Sequence, residues 1–148
     1  MKAFLGKYIL HIDGIAGTSV GLLLLLFQDI ASDFYQLPKG LILFLAGANV
    51  CYGIYALRLA FIRNRSLNEV AALAIANFLW AITCVGFLLT YYEQASMFAL
   101  LFISAECIFV AILGLCEWRY RFLLVASGCM FRPIPITHFG SIRSVISV

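Results

Sequence analysis

Four long apolar stretches alternate with short polar segments along the chain. They cover residues 8–28, 40–62, 68–91 and 96–118. Each is about 20 residues or longer, and at about 1.5 Å of rise per residue an α-helix of that length crosses a hydrocarbon core of about 30 Å. The pattern therefore predicts an all-α, polytopic membrane protein whose four transmembrane helices form a bundle.

Composition favours the same class of protein. Of the 148 residues, 64% are hydrophobic and only 11% are charged, whereas soluble domains are about a quarter charged. So little polar surface cannot cover a soluble globule, and a lipid bilayer is the predicted surrounding. We expect one transmembrane domain over residues 1–121. Residues 122–148 are predicted to be a cytoplasmic tail, interfacial or mobile, because Pro133 and Pro135 prevent a continuous helix there.

The first apolar stretch has a second interpretation. Lys2 and Lys7 followed by an apolar run are also typical of a secretory signal peptide. His11 and Asp13 interrupt that run, however, and residues 29–31 do not provide the small residues of a cleavage site. We therefore expect the first stretch to be a retained transmembrane helix.

The basic residues indicate an orientation. Nine of the ten Lys and Arg residues lie in three regions: before the first stretch, from the end of the second stretch to the start of the third, and after the fourth. The tenth, Lys39, lies in the first loop. Basic residues concentrate on the cytoplasmic side of membrane proteins, so both termini are predicted to be cytoplasmic. The small positive charge is thus a topology signal, and without a basic stripe it does not predict nucleic acid as a partner.

Each apolar stretch contains a polar residue that needs a partner in a hydrocarbon interior. These residues are Asp13, Asn49, Asn77 and Glu106. Counting along the helices places the last three near the middle of the bilayer. Asp13 lies nearer the cytoplasmic edge, at a depth similar to that of Arg58, so the two are predicted to form a structural ion pair, with His11 nearby.

Helical periodicity extends the midplane set into a predicted ligand-binding pocket. Asn49 and Tyr52 share one helical face, and Asn77 and Trp80 share another. With Glu106 they would line a site for a lipid-like or weakly polar small molecule. A purely structural role is the alternative for the two amides, because hydrogen bonds between membrane helices fix packing at about 0.6–2 kcal/mol each.

Sequence motifs for catalysis or for cofactor and metal binding are absent. The five cysteines contain no C-x-x-C pair, and the two histidines are separated by most of the chain. Neither a zinc-protease motif nor a nucleotide-binding loop occurs. We therefore predict no cofactor, no metal and no catalytic residue, although chemistry within the membrane by His11, Asp13 and Glu106 stays open.

Three short motifs carry a resemblance to known proteins. They are Asp13-Gly14 followed by Gly17 and Gly21, Asn77-x-x-Trp80, and Glu117-Trp118-Arg119. With them the chain resembles, over about residues 8–121, a family of small, uncharacterised bacterial four-helix integral membrane proteins. The resemblance implies the fold and a bacterial inner membrane, and it brings no assigned activity.

Two functions follow as alternatives. The first is binding or transport of a lipid-like or weakly polar small molecule in the polar pocket. The second is a non-catalytic accessory or assembly subunit, whose apolar faces dock another membrane protein or a second copy of the chain.

Overall fold

A computed structural model describes residues 2–62 and 64–129, and side chains from 8 to 62 and 64 to 126. These ranges form five helices. They are α1 (Lys2–Leu26), α2 (Gln28–Tyr35), α3 (Lys39–Phe61), α4 (Leu67–Tyr91) and α5 (Met97–Cys129). All except α2 are long and apolar enough to cross a membrane. The all-helical prediction is thus confirmed, and the four long helices point to a multi-pass membrane protein.

The first predicted loop contains the short helix α2. Its C-terminus is closed by Gln36 in the left-handed conformation (φ 56°), and Ser32 Oγ donates to the Leu37 carbonyl at 2.7 Å. An ion pair of 2.5 Å joins Lys39, at the start of α3, to Asp29 in α2. α2 therefore forms a compact connection between α1 and α3.

The last helix is longer than predicted. It continues to Cys129 instead of ending near residue 118, because the apolar run at 122–125 extends its buried face. Leu124 is fully buried in a cluster with Leu10 and Leu59. Residues 122–129 are thus helical, and the rest of the predicted tail lies outside the described residues.

The long helices associate as two pairs, α1 with α3 and α4 with α5. Small residues permit the first pair to approach closely. A Cβ added at Gly21 would lie 2.7 Å from the Ala46 carbonyl oxygen, and one at Gly53 would overlap Thr18. In the second pair, Gly114 provides the room in which the Asn77 side chain approaches α5.

The two pairs are joined mainly where α1 contacts α5, whereas α3 and α4 touch only sparsely. An apolar cluster lies at each end. The α2-end cluster comprises Leu24, Leu37, Ile42, Leu45, Ala46, Cys84, Ala99 and Ile103. The opposite-end cluster comprises Leu10, Ala56, Leu59, Ala60, Val70, Leu73 and Leu124. The buried polar residues of the long helices are in neither cluster.

The turns between helices are fixed by local hydrogen bonds. Ser66 and Glu69 form a capping box at the start of α4, in which each side chain binds the other's backbone N–H. At the other end of the molecule, the Ser96 backbone N–H donates to the Tyr35 carbonyl at 2.9 Å. This bond connects the end of α2 to the residue before α5.

Candidate ligand-binding site

A cavity of about 190 Å³ lies among the four long helices. All five residues of the predicted pocket line it: Asn49, Tyr52, Asn77, Trp80 and Glu106. Asp13 lines it as well, and the rest of the wall is apolar, formed by Ala16, Gly17, Val20, Ala48, Ala76, Phe109 and Val110. The structure therefore brings residues from separate stretches of the sequence to one concave site.

One group of polar residues, the Glu106 site, comprises Glu106, Asn49 and Trp80. Asn49 Nδ2 donates to Glu106 Oε1 at 3.0 Å, and Trp80 Nε1 donates to the same oxygen at 2.9 Å. Asn49 Nδ2 also lies 3.1 Å from the Leu45 carbonyl oxygen of its own helix. Three helices thus converge on one carboxyl oxygen, which has two N–H donors.

A second group, the Asp13 site, comprises Asp13, Tyr52, Asn77 and Glu117. The Tyr52 hydroxyl donates to Asp13 Oδ2, and Asn77 Nδ2 donates to Glu117 Oε2 at 3.0 Å. The carboxyl groups of Asp13 and Glu117 are also in electrostatic contact, close enough for their charges to interact. This contact joins the α1–α3 pair to the α4–α5 pair.

The two carboxyl groups of the Asp13 site are buried. Asp13 is 2% exposed and Glu117 is not exposed at all. Glu117 Oε1 is buried and has no hydrogen-bond donor among the described residues. Since a buried acceptor without a donor is costly, the described part of the site is one donor short.

The predicted ion pair between Asp13 and Arg58 does not form. Arg58 is exposed and lies close enough to Glu69 for their charges to interact, while Asp13 is buried against Tyr52. The reason is helical periodicity: Arg58 follows Tyr52 by six residues, which turns it about 120° away around α3. Similar depth in the bilayer did not imply a shared face.

Glu117 is a site residue that sequence reasoning missed. The predicted last span ends at residue 118 and so places Glu117 at its boundary, whereas the helix continues to Cys129. The sequence did contain one indication that Glu117 belongs to the site. The eleven residues from Glu106 to Glu117 make about 20° more than three full helical turns. Glu117 therefore shares the face of α5 that carries Glu106.

His11 packs against the end of α3. Its ring lies edge-on to that of Phe61, with the centroids 5.3 Å apart. Among the residues that the structure describes, no three His, Cys, Asp or Glu side chains are placed to hold a metal ion. The chemistry that the cavity offers is therefore that of carboxyl, amide, phenol and indole groups.

Comparisons with protein-family models, with curated proteins and with solved structures find no match to the chain.

Proposed function

We propose that the four long helices form a transmembrane bundle whose central cavity binds a small lipid-like or weakly polar molecule, for recognition or transport. The observation that carries this proposal is the cavity itself, in which polar side chains from all four helices meet an otherwise apolar wall. Ligand sites commonly have this composition, with a few convergent polar groups in an apolar surface.

The cavity limits the size of the ligand. Its volume of about 190 Å³ is close to that of an engineered cavity of about 150 Å³ that binds benzene, and below the roughly 300–1,000 Å³ of sites for drug-sized molecules. A ring-sized molecule fits whole. A longer lipid-like molecule would place one segment inside and leave the remainder outside.

We also propose a location for the protein, the bacterial inner membrane, and an orientation in it. The distribution of basic residues supports cytoplasmic termini, and the motifs around Asp13, Asn77 and Glu117 support a bacterial inner membrane. Reporter fusions to each terminus test the orientation: a fluorescent protein that requires the cytoplasm should be active at both ends, and activity of a periplasmic phosphatase at either end would contradict the proposal.

The alternative function is an accessory subunit of a larger membrane complex. Large apolar side chains are exposed along the long helices, among them Leu26, Ile82 and Leu89. Because lipid alone would cover such faces, this surface does not favour a protein partner over the bilayer.

Native mass spectrometry of protein released directly from membranes tests both functions. For the binding function we expect a small molecule retained by the wild type and lost in Ala76→Leu, since Ala76 lines the cavity. Ala72→Leu is the matched control, because Ala72 lies one turn earlier on α4 and is exposed. Equal retention by both variants would place the bound molecule elsewhere and contradict the binding function. A stoichiometric protein partner without a small molecule would favour the accessory subunit.

A further inference from the structure

The Asp13 site has an imbalance of donors and acceptors that the proposed function leaves unexplained. Its two carboxyl groups offer four oxygens, while the site's own polar hydrogens come from the Tyr52 hydroxyl and the Asn77 amide. Ionised carboxylates only accept hydrogen bonds. The contact between Asp13 and Glu117 therefore lacks a donor unless one of them carries a proton.

The charges of Asp13 and Glu117 also indicate that the pair carries a proton or binds a cation. Two carboxylates in contact in a low-dielectric site cannot both be ionised without a compensating cation. The ion pair of Lys39 with Asp29 lies outside this site. A single positive charge, either a proton or a bound cation, is what the pair requires.

The described groups around Asp13 do not provide that charge. Tyr52 faces it from α3 and Glu117 from α5, and α4 presents the uncharged Asn77. Glu106, also on α5, is a further carboxyl group in the cavity that Asp13 lines and likewise brings no positive charge. On α1 itself His11 precedes Asp13 by two residues, about 160° away around the helix, where its ring contacts Phe61. A charge from solution, delivered through the cavity that Asp13 lines, would complete the site.

We propose that the Asp13–Glu117 pair holds one proton and that the adjoining cavity binds, beside Asp13, a singly charged organic cation with an apolar body, so that proton and cation compete to neutralise the same carboxyl pair. This inference rests on the proposed binding function and names its ligand class. The exchange balances in charge: one proton leaves to the solvent for each monovalent cation that binds.

The cavity favours an organic cation over a metal ion. Metal ions such as Ca²⁺ need six or more oxygen ligands at short range, whereas the space beside Asp13 is walled largely by apolar groups, including Val20 and Val110. Trp80 and Phe109 also line it, and aromatic faces attract ammonium groups. An ammonium with an aromatic or aliphatic body would place its charge beside Asp13 and its body against the apolar wall.

A matched pair of probes tests the charge requirement. Benzyltrimethylammonium is a permanent cation, and neopentylbenzene has the same shape without the charge. The chain has two tryptophans, so in a Trp118→Phe background Trp80 is the single tryptophan, and its fluorescence reports on the cavity. As the pH rises, we expect the affinity for the cation to increase about tenfold per pH unit while the Asp13–Glu117 pair is still protonated, because fewer protons compete with the cation. The affinity for neopentylbenzene should be independent of pH.

Proton release provides the decisive measurement. Cation binding in weak buffer with a pH indicator should release about one proton per site in the wild type and none in Glu117→Gln. The amide introduced by this substitution keeps a permanent donor beside Asp13 but cannot dissociate. Glu93→Gln, which alters an exposed turn residue, should release as much as the wild type. Binding of neopentylbenzene by each variant shows that the cavity is intact.

The outcomes separate this inference from the proposed function. If neopentylbenzene binds with the same affinity as the cation at every pH, the cavity is a binding site but the cation assignment is wrong. If neither probe binds and native mass spectrometry shows no retained small molecule, the proposed function fails. Equal proton release by wild type and Glu117→Gln would overturn the role of the Asp13–Glu117 pair.

Discussion

The Glu106 site and the Asp13 site share one cavity but satisfy their carboxyl groups differently. Glu106 Oε1 accepts from two N–H groups, those of Asn49 and Trp80. Asp13 and Glu117 instead contact each other, and one Glu117 oxygen is left without a donor among the described residues. A carboxyl group matched with donors stabilises the association of helices, while a carboxyl pair that lacks a donor is suited to bind something from outside.

The two sites also depend on different helix contacts. The bond between Asp13 and Tyr52 crosses the α1–α3 interface, whereas the bond between Trp80 and Glu106 lies within the α4–α5 pair. Substitutions at either interface or in either site should therefore affect the two sites unequally. The free energy of unfolding in detergent micelles or bicelles measures the difference.

The largest effect is expected for Gly53→Ala. Its Cβ would overlap the Thr18 backbone nitrogen and lie 2.9 Å from the Gly14 carbonyl oxygen, and overpacking of this kind costs typically about 1–3 kcal/mol. We expect a loss near the upper end of that range, because the overlap involves backbone atoms. Separation of α1 from α3 should disrupt the Asp13 site more than the bond between Trp80 and Glu106.

Gly47→Ala provides the control for that substitution. It lies on the same helix, and nothing would lie within 4 Å of its added Cβ. A loss of stability in Gly47→Ala as large as that in Gly53→Ala would show that close packing at Gly53 is unimportant.

Glu117→Leu should follow, with a loss of about 2 kcal/mol. It leaves the buried Asn77 amide and the Asp13 carboxyl short of a partner, and an unsatisfied buried group costs about 1–3 kcal/mol. Glu106→Leu should cost about half as much, because Asn49 retains the Leu45 carbonyl and only the Trp80 N–H loses its acceptor. Thermal or denaturant unfolding that ranks the two variants in the reverse order would contradict the comparison.

Tyr52→Phe should cost about 1 kcal/mol, the net value of a typical hydrogen bond. The change keeps the ring and removes only the hydroxyl that donates to Asp13. Tyr55→Phe is the control, since Tyr55 packs against the opposite-end cluster. Equal unfolding free energies for the two variants would mean that the Tyr52 hydroxyl adds nothing.

The smallest effect is expected for Trp80→Phe, at about 0.6 kcal/mol, the average value of a hydrogen bond between membrane helices. An aromatic wall remains, and Asn49 still donates to Glu106. Trp118→Phe changes a half-exposed residue and should leave stability unaltered. A loss above about 2 kcal/mol for Trp80→Phe would show that the indole contributes mainly through packing.

Sequence patterns predicted the helices well because hydrocarbon imposes length and composition on any segment that crosses it. The same constraint made Asn49, Asn77 and Glu106 conspicuous, and helical periodicity added Tyr52 and Trp80, so most of the polar residues that line the cavity were predictable. The spacing of Gly17 and Gly21 is also typical of closely packed membrane helices, and both glycines lie against α3.

The remaining features depended on information that single segments do not contain. Glu117 was missed because the end of α5 was placed at Trp118, and the buried continuation through Leu124 is recognisable only once α1 and α3 are packed beside it. The pairing of Asp13 with Arg58 failed because depth along a helix axis leaves the rotation about that axis undetermined. Which polar groups meet is decided by rotation as much as by depth.

The sparse contact between α3 and α4 affects whether the ligand concentration in water or that in the lipid determines how fully the cavity is occupied. Both helices line the cavity, through Ala48 and Ala76 among other residues, so a ligand that passes between them would come from the lipid. A molecule that arrives by this side dissolves in the bilayer first. Occupancy would then follow its mole fraction in the lipid, and two molecules with identical contacts to the cavity would differ in apparent potency by their partition coefficients alone.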